Sequence, residues 1–130
     1  MNRLPISLAA LGLFAAAASA HGPAGADIKL SFDAPIPNIP GKSLRTVTVA
    51  YPPGGTTPAH RHAPSAYIYA IVLDGEIRSG VAGQPARVYK VGESWTENPG
   101  DHHVVSENAS KTRPAKLLAV FVVDSKDTEL

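Results

Sequence analysis

The chain of 130 residues carries 12 lysines and arginines against 11 aspartates and glutamates, and a net charge of +1 argues against nucleic acid or an anionic membrane surface as partner. It has no cysteine, which excludes disulfides, thiolate metal sites, cysteine nucleophiles and a lipid-anchored N-terminal cysteine. Its 12 prolines and 11 glycines are too many for a helical bundle of this size, because each tends to break a helix interior.

Residues 1–20 read as a secretory signal peptide: Arg3, an apolar run from Leu4 to Ala18, and the small-x-small site Ala18-Ser19-Ala20. The run is too short to span a bilayer comfortably, and no second one follows. An exported protein, periplasmic or secreted and without a membrane anchor, is expected, with about 110 residues left for one domain. Residues 21–43 carry Pro23, Pro35, Pro37 and Pro40 and read as an extended N-terminal arm. From Leu44 to Tyr51 β-branched residues alternate with a period of two, and Pro52-Pro53-Gly54-Gly55 ends the strand. Tyr67 to Leu73 is a second strand, and Asp74-Gly75 is a turn favoured in hairpins, returning through Glu76 to Val81. After a turn at Gly83-Gln84-Pro85 come short strands at Arg87 to Val91, Ser94 to Glu97 and His103 to Ser106. Ala115 to Val123 is the most apolar strand and is predicted to be buried on both faces. Residues 125–130 are left as a C-terminal tail. Strands at this spacing over residues 44–124 predict an all-β protein, a closed sandwich or small barrel.

The histidines carry the chemistry. In an extended segment residues i and i+2 share a face, so His60 and His62 project side by side as a chelating pair. Of the neighbours His102 and His103, only one can point the same way, and it would supply a third ligand from a distant strand. An HxH alone is weak, because short histidine-rich spots occur on surfaces by chance. The flanking glycines strengthen it.

With those glycines the sequence resembles the cupin superfamily, small double-stranded β-helix (jelly-roll) barrels that bind a metal inside. In the first family motif, Gly54 is followed by five residues and then His60 and His62, and Gly75 closes it. In the second, Gly92, Gly100 and His103 fall into place, at the short inter-motif spacing of small single-domain members. The resemblance covers roughly Leu44 to Val123 and implies a metal held by His60, His62 and His103. Three departures stand out. The first-motif glutamate is absent, its position falling at Ala66 or Tyr67 counted forward and at Ile68 counted back from Gly75. Asn98 stands at the motif proline, with Pro99 next. Glu107 stands at the motif asparagine, with Asn108 next. Three neutral imidazoles still hold a divalent transition metal (Fe, Zn, Mn, Ni or Cu) and leave positions open for water or substrate.

Other residues near the site have two readings. Glu97 is a candidate metal ligand, but an outward, solvated position is the expectation, since half of all strand residues face outward. Tyr67 and Tyr69 share a face near the missing glutamate and are candidates to hydrogen-bond substrate, or else barrel-wall aromatics. Trp95 is expected to pack in the wall. Arg61, between the two histidines, is expected on the surface, and Asn108-Ala109-Ser110 fits a glycosylation acceptor. His21 would be the new N-terminus and is not expected to join the site.

Two functions follow from the resemblance. One is a dioxygenase-type, metal-dependent oxidoreductase acting on a small organic molecule. The other is a non-catalytic cupin that binds or senses a metal or small ligand. Isomerase or lyase chemistry ranks below both, for want of an evident acid–base pair. The proline-rich arm suggests exchange between barrels and hence a homodimer.

Overall fold

A computed structural model describes residues 25–129; the segment 1–20 read as a signal peptide, His21 and Leu130 lie outside the described residues. These residues form ten strands: β1 (Asp27–Pro35), β2 (Lys42–Tyr51), β3 (Thr56–Thr57), β4 (His60–Arg61), β5 (Tyr67–Asp74), β6 (Glu76–Val81), β7 (Arg87–Lys90), β8 (Ser94–Glu97), β9 (His102–Asn108) and β10 (Ala115–Asp124). No helix occurs among them. One sheet has the order β1-β2-β10-β5-β8 and the other β3-β9-β6-β7, with β4 also pairing β9. All pairings are antiparallel. The expected all-β double-stranded architecture is therefore the one observed.

Three expectations change. Much of the arm is strand β1, paired along β2 from Asp27 to Pro35, and β2 itself begins at Lys42 rather than at Leu44. The segment has the alternation of a strand (Ile28, Leu30, Phe32), which the flanking prolines obscure. Asp74-Gly75 does not close a hairpin, because β5 and β6 belong to different sheets. Gly75 is the corner between them: its φ is +66°, and an added Cβ would stand 2.5 Å from the Pro114 carbonyl oxygen, so only glycine fits. Finally, β10 is buried on one face only. Ala115, Leu117, Ala119, Phe121 and Val123 are buried, while Lys116 is exposed and Leu118, Val120 and Val122 are half-buried. A central strand in a sheet with one open face needs only one fully apolar side.

Residues directly opposite each other in antiparallel strands share a face, so the register lays out the barrel wall in rows. Val47, Ala119, Ala70 and Trp95 form one row, and Arg45, Phe121, Ile68 and Glu97 the next. The two alanines at the centre leave room that larger residues would fill. Between the sheets lies a cavity of about 150 Å³, walled mainly by apolar side chains including Val47, Ala70, Leu117 and Phe121. That is room for a molecule about the size of benzene.

Of three register shifts, one leaves Leu73 of β5 unpaired opposite β10, and the other two adjust which residues face in. In β1 the register shifts between Leu30 and Phe32, leaving Ser31 unpaired. Leu30 therefore faces Val47, whereas Asp33 faces Arg45 and Phe32 turns outward opposite Thr46. Arg45, 4% exposed, donates from Nε to Asp33 Oδ2 (3.1 Å) and from Nη1 to the carbonyls of Asp127 (2.9 Å) and Glu129 (3.4 Å). This buried guanidinium ties β1 to the C-terminal tail. The second bulge, in β9, bears on the site.

Candidate metal centre

The β4–β9 register sets His60 opposite His103 and Arg61 opposite His102. His60 and His103 thus share the inner face, while Arg61 is exposed, its Nη1 donating to the Gly100 carbonyl (2.6 Å). His62, two residues beyond His60, returns to the inner face and its ring meets Phe121 edge-on, with centroids 5.3 Å apart. The three rings have centroids 4.7, 5.1 and 6.1 Å apart, and each offers one nitrogen within 4.8 Å of the others. His103 is buried and His102 half-buried on the other side of the strand.

The β9 bulge keeps the rest of the strand in step. Gly80 of β6 faces Val105 and Val81 faces His103, so Val104 is the extra residue. It allows both His103 and Ser106, three residues apart, to be buried. The same inserted residue accounts for the one-position displacement of Asn108 from the motif asparagine. Asn108 is buried, its Nδ2 donating to the carbonyls of Pro52 (3.1 Å) and Arg113 (2.7 Å), and its Oδ1 accepting from Ser110 N (2.8 Å). With that amide enclosed and engaged, Asn108 is a loop clamp and not an accessible glycosylation acceptor. Glu107 instead lies at the surface beside Arg78, Nη1 to Oε1 3.2 Å.

Two of the three imidazoles are held by a hydrogen bond to a neighbour. His60 Nδ1 donates to the Pro58 carbonyl (2.8 Å), which fixes its tautomer and leaves Nε2 with its lone pair. His103 Nε2 shares a hydrogen bond with the buried Ser79 hydroxyl (2.9 Å). His62 Nδ1 is buried with no hydrogen-bond partner.

The outward expectation for Glu97 is corrected: it is 3% exposed and faces the histidines. Its Oε1 accepts from Trp95 Nε1 (3.2 Å) and stands 3.4 Å from His103 Nδ1, and its Oε2 stands 3.4 Å from His62 Nε2. Burial opposes the charge of Glu97, but the contact with His62 and the nearby His103 outweigh it and hold the carboxyl below its usual range. For His103 burial is the largest effect, and with the neighbouring imidazoles it outweighs the attraction of Glu97, so its pKa is lowered. Neutral imidazoles with an ionised carboxylate beside them form a donor set suited to a divalent transition metal.

Tyr67 and Tyr69 are not brought to the site. They are 44% and 42% exposed on the outer face of β5, while Ile68 and Ala70 line the cavity. Trp95 is half-buried in the wall, stacked at 4.6 Å between centroids on Tyr89. Deeper in the cavity, Tyr51 is hydrogen-bonded to Thr57 and to Ser106 (2.7 Å). Ser79 and Phe121, which position His103 and His62, carry no signal in their own sequence contexts beyond lying on inward faces of strands.

A family model described as a cupin domain matches residues 47–121. No curated protein sequence matches the chain. Among solved structures, a recombinant oxalate oxidase in complex with glycolate is 27% identical with a TM-score of 0.66, over 84% of this chain and 56% of that one. The chain thus spans little more than half of that protein. A cupin domain from Bordetella pertussis is 21% identical with a TM-score of 0.59, over 78% and 97% of the two chains. The DMSP lyase DddQ from Ruegeria pomeroyi is 25% identical with a TM-score of 0.55, over 67% and 42%.

Proposed function

The chain belongs to the cupin family, and from that premise we propose that it is an exported, metal-dependent oxidoreductase of the dioxygenase type acting on a small organic molecule. The observation that carries this is the convergence of His60, His62 and His103 on the wall of a largely apolar cavity. A divalent transition metal bound there would supply Lewis acidity and, if redox-active, a route for electrons. The protein's own contribution is binding and exclusion of water. The alanine-floored cavity accepts a compact apolar body, and the Tyr51–Thr57–Ser106 hydroxyls offer hydrogen bonds to a polar group on it. The likeness to an oxalate oxidase supports redox chemistry. A dicarboxylate fits less well, because among the described residues no lysine or arginine lines the cavity and the Glu97 carboxylate does. The substrate class proposed is therefore a neutral or singly charged molecule with one metal-binding head.

Elemental analysis of protein purified from its native compartment, followed by oxygen uptake with a panel of such substrates and oxalate, tests the proposal. Stoichiometric redox-active metal and substrate-dependent oxygen uptake are expected. Bound metal with no turnover would leave a binding or sensing cupin instead. Export rests on the segment Met1–Ala20, and an intact mass that retains it would refute that part.

A further inference from the structure

We propose that Glu97 is the fourth protein ligand of this centre, delivered from β8 into the place that the first-motif glutamate would take from β5. This rests on the metal reading above. The register is the first observation. Ile68 occupies the glutamate's position counted back from Gly75, and its antiparallel partner is Glu97. Directly opposed side chains start only about 5 Å apart at Cβ. A carboxylate lost from one strand is thus present at the facing position of the next, pointing into the same cavity.

The second observation is a pair of distances. Glu97 Oε2 and His62 Nε2 are 3.4 Å apart, as are Glu97 Oε1 and His103 Nδ1. A charge-assisted hydrogen bond between such groups would close to about 2.7–2.9 Å. Two donors bound at about 2.1 Å to one tetrahedral ion stand about 3.4 Å apart. Each carboxylate oxygen stands at ligand spacing from one imidazole nitrogen, Oε2 from His62 and Oε1 from His103, and beyond the length of a charge-assisted hydrogen bond.

The third is an unfilled valence. Oε1 has the indole N–H of Trp95, but Oε2 is buried and has no hydrogen-bond partner among the described residues. A buried carboxylate oxygen left bare is costly, and a cation is the partner that would satisfy it. Trp95 positions the carboxylate and leaves its other oxygen free.

Zn²⁺ and Co²⁺ titrations of the exported chain decide the matter, with wild type, Glu97→Gln, Glu97→Ala and the exchange Ile68→Glu/Glu97→Ile compared. Both single variants should weaken Zn²⁺ binding by about tenfold or more and dim the visible Co²⁺ bands of a four-coordinate site, and the exchange should recover most of the affinity. Glu97→Gln keeps the shape and the Trp95 hydrogen bond. If it binds Zn²⁺ within about threefold of wild type with an unchanged Co²⁺ spectrum, Glu97 is not a ligand and the inference falls while the three-histidine site stands. If wild type binds neither ion, the metal reading fails and takes this one with it.

Discussion

Strand β10 pairs with β2 from Ala115 to Asp124 and with β5 from Lys116 to Val122, whereas the segment from Thr56 to His62 contributes only the two-residue strands β3 and β4. Both face the same cavity. β10 supplies Leu117, Ala119 and Phe121, whose positions follow from its pairing with a strand on each side. The short segment supplies Thr57, His60 and His62, each held by a specific contact: Thr57 by Tyr51, His60 by the Pro58 carbonyl, His62 by the edge of Phe121. Stability resides in the long strands, and the polar chemistry is hung on a stretch whose loss of regular pairing costs the fold little.

Variants that act on one region and not the other test this division. The largest effect is expected at the wall. Phe121→Ala should destabilise the protein by about 3–5 kcal/mol in urea unfolding, and because Phe121 orients His62 it should weaken metal binding too. Gly75→Ala, which forces a Cβ against the Pro114 carbonyl at positive φ, should cost about 2–4 kcal/mol. Either variant unfolding at the wild-type urea concentration would contradict the assignment of stability to the long strands.

The ligand-bearing stretch should behave in the opposite way. His60→Ala, His62→Ala or His103→Ala should each lower metal affinity by about a hundredfold or more, while His60→Ala changes metal-free stability by less than about 1 kcal/mol. His102→Ala should retain metal, since its ring lies on the other face of β9. Chelation should lower the unfolding midpoint but leave the strand signal in circular dichroism intact. Loss of that signal would mean that the metal, and not β10 and its neighbours, holds the barrel together.

A smaller effect is expected from pH. His103 and Glu97 both have lowered pKa values, so the unfolded chain takes up their protons more readily than the folded one. Their contribution to the metal-free protein is complete at neutral pH. It is lost on acidification, beginning below the ordinary histidine value of 6.5 and continuing below the ordinary carboxylate value of 4.5. The urea midpoint should fall between pH 7 and pH 5, and His103→Ala should flatten that part of the profile. Smallest of all, Tyr67→Phe and Tyr69→Phe should leave stability within about 0.5 kcal/mol and metal binding unchanged, because both phenols face solvent.

The histidine triad was legible because its spacing is rigid: period two brings His60 and His62 to one face, and glycine positions bracket each motif. Glu97 was not, although a signal was there. Trp95 and Glu97 are two apart on one strand and must share a face, so a Trp placed in the wall commits the glutamate to the interior as well. Expecting one inside and the other outside contradicts that geometry. Tyr67 and Tyr69 were open to misplacement because a strand's period says which residues go together but not which set faces in. The corner at Gly75 was hidden because Asp-Gly suits a hairpin and a change of sheet equally well. The bulges at Ser31 and Val104 leave no mark in a pattern of apolar residues, although each decides which residues beyond it face the interior.

The Ser31 bulge also bears on how copies of this protein meet. Among the described residues β1 pairs on one side only, with β2, and it displays Ile28, Leu30 and Phe32, each about half exposed. An open apolar edge of that length is a template for another chain's strand, and for aggregation. The extra residue bends the edge partway along, places Phe32 on the opposite face from Leu30, and is flanked by the charges of Lys29 and Asp33. A β1 in which Ser31 paired regularly would set Phe32 opposite Arg45, on the same face as Ile28 and Leu30, and would displace Asp33 from Arg45 at the same stroke. The residue left out of pairing within the barrel thus divides the apolar edge between two faces.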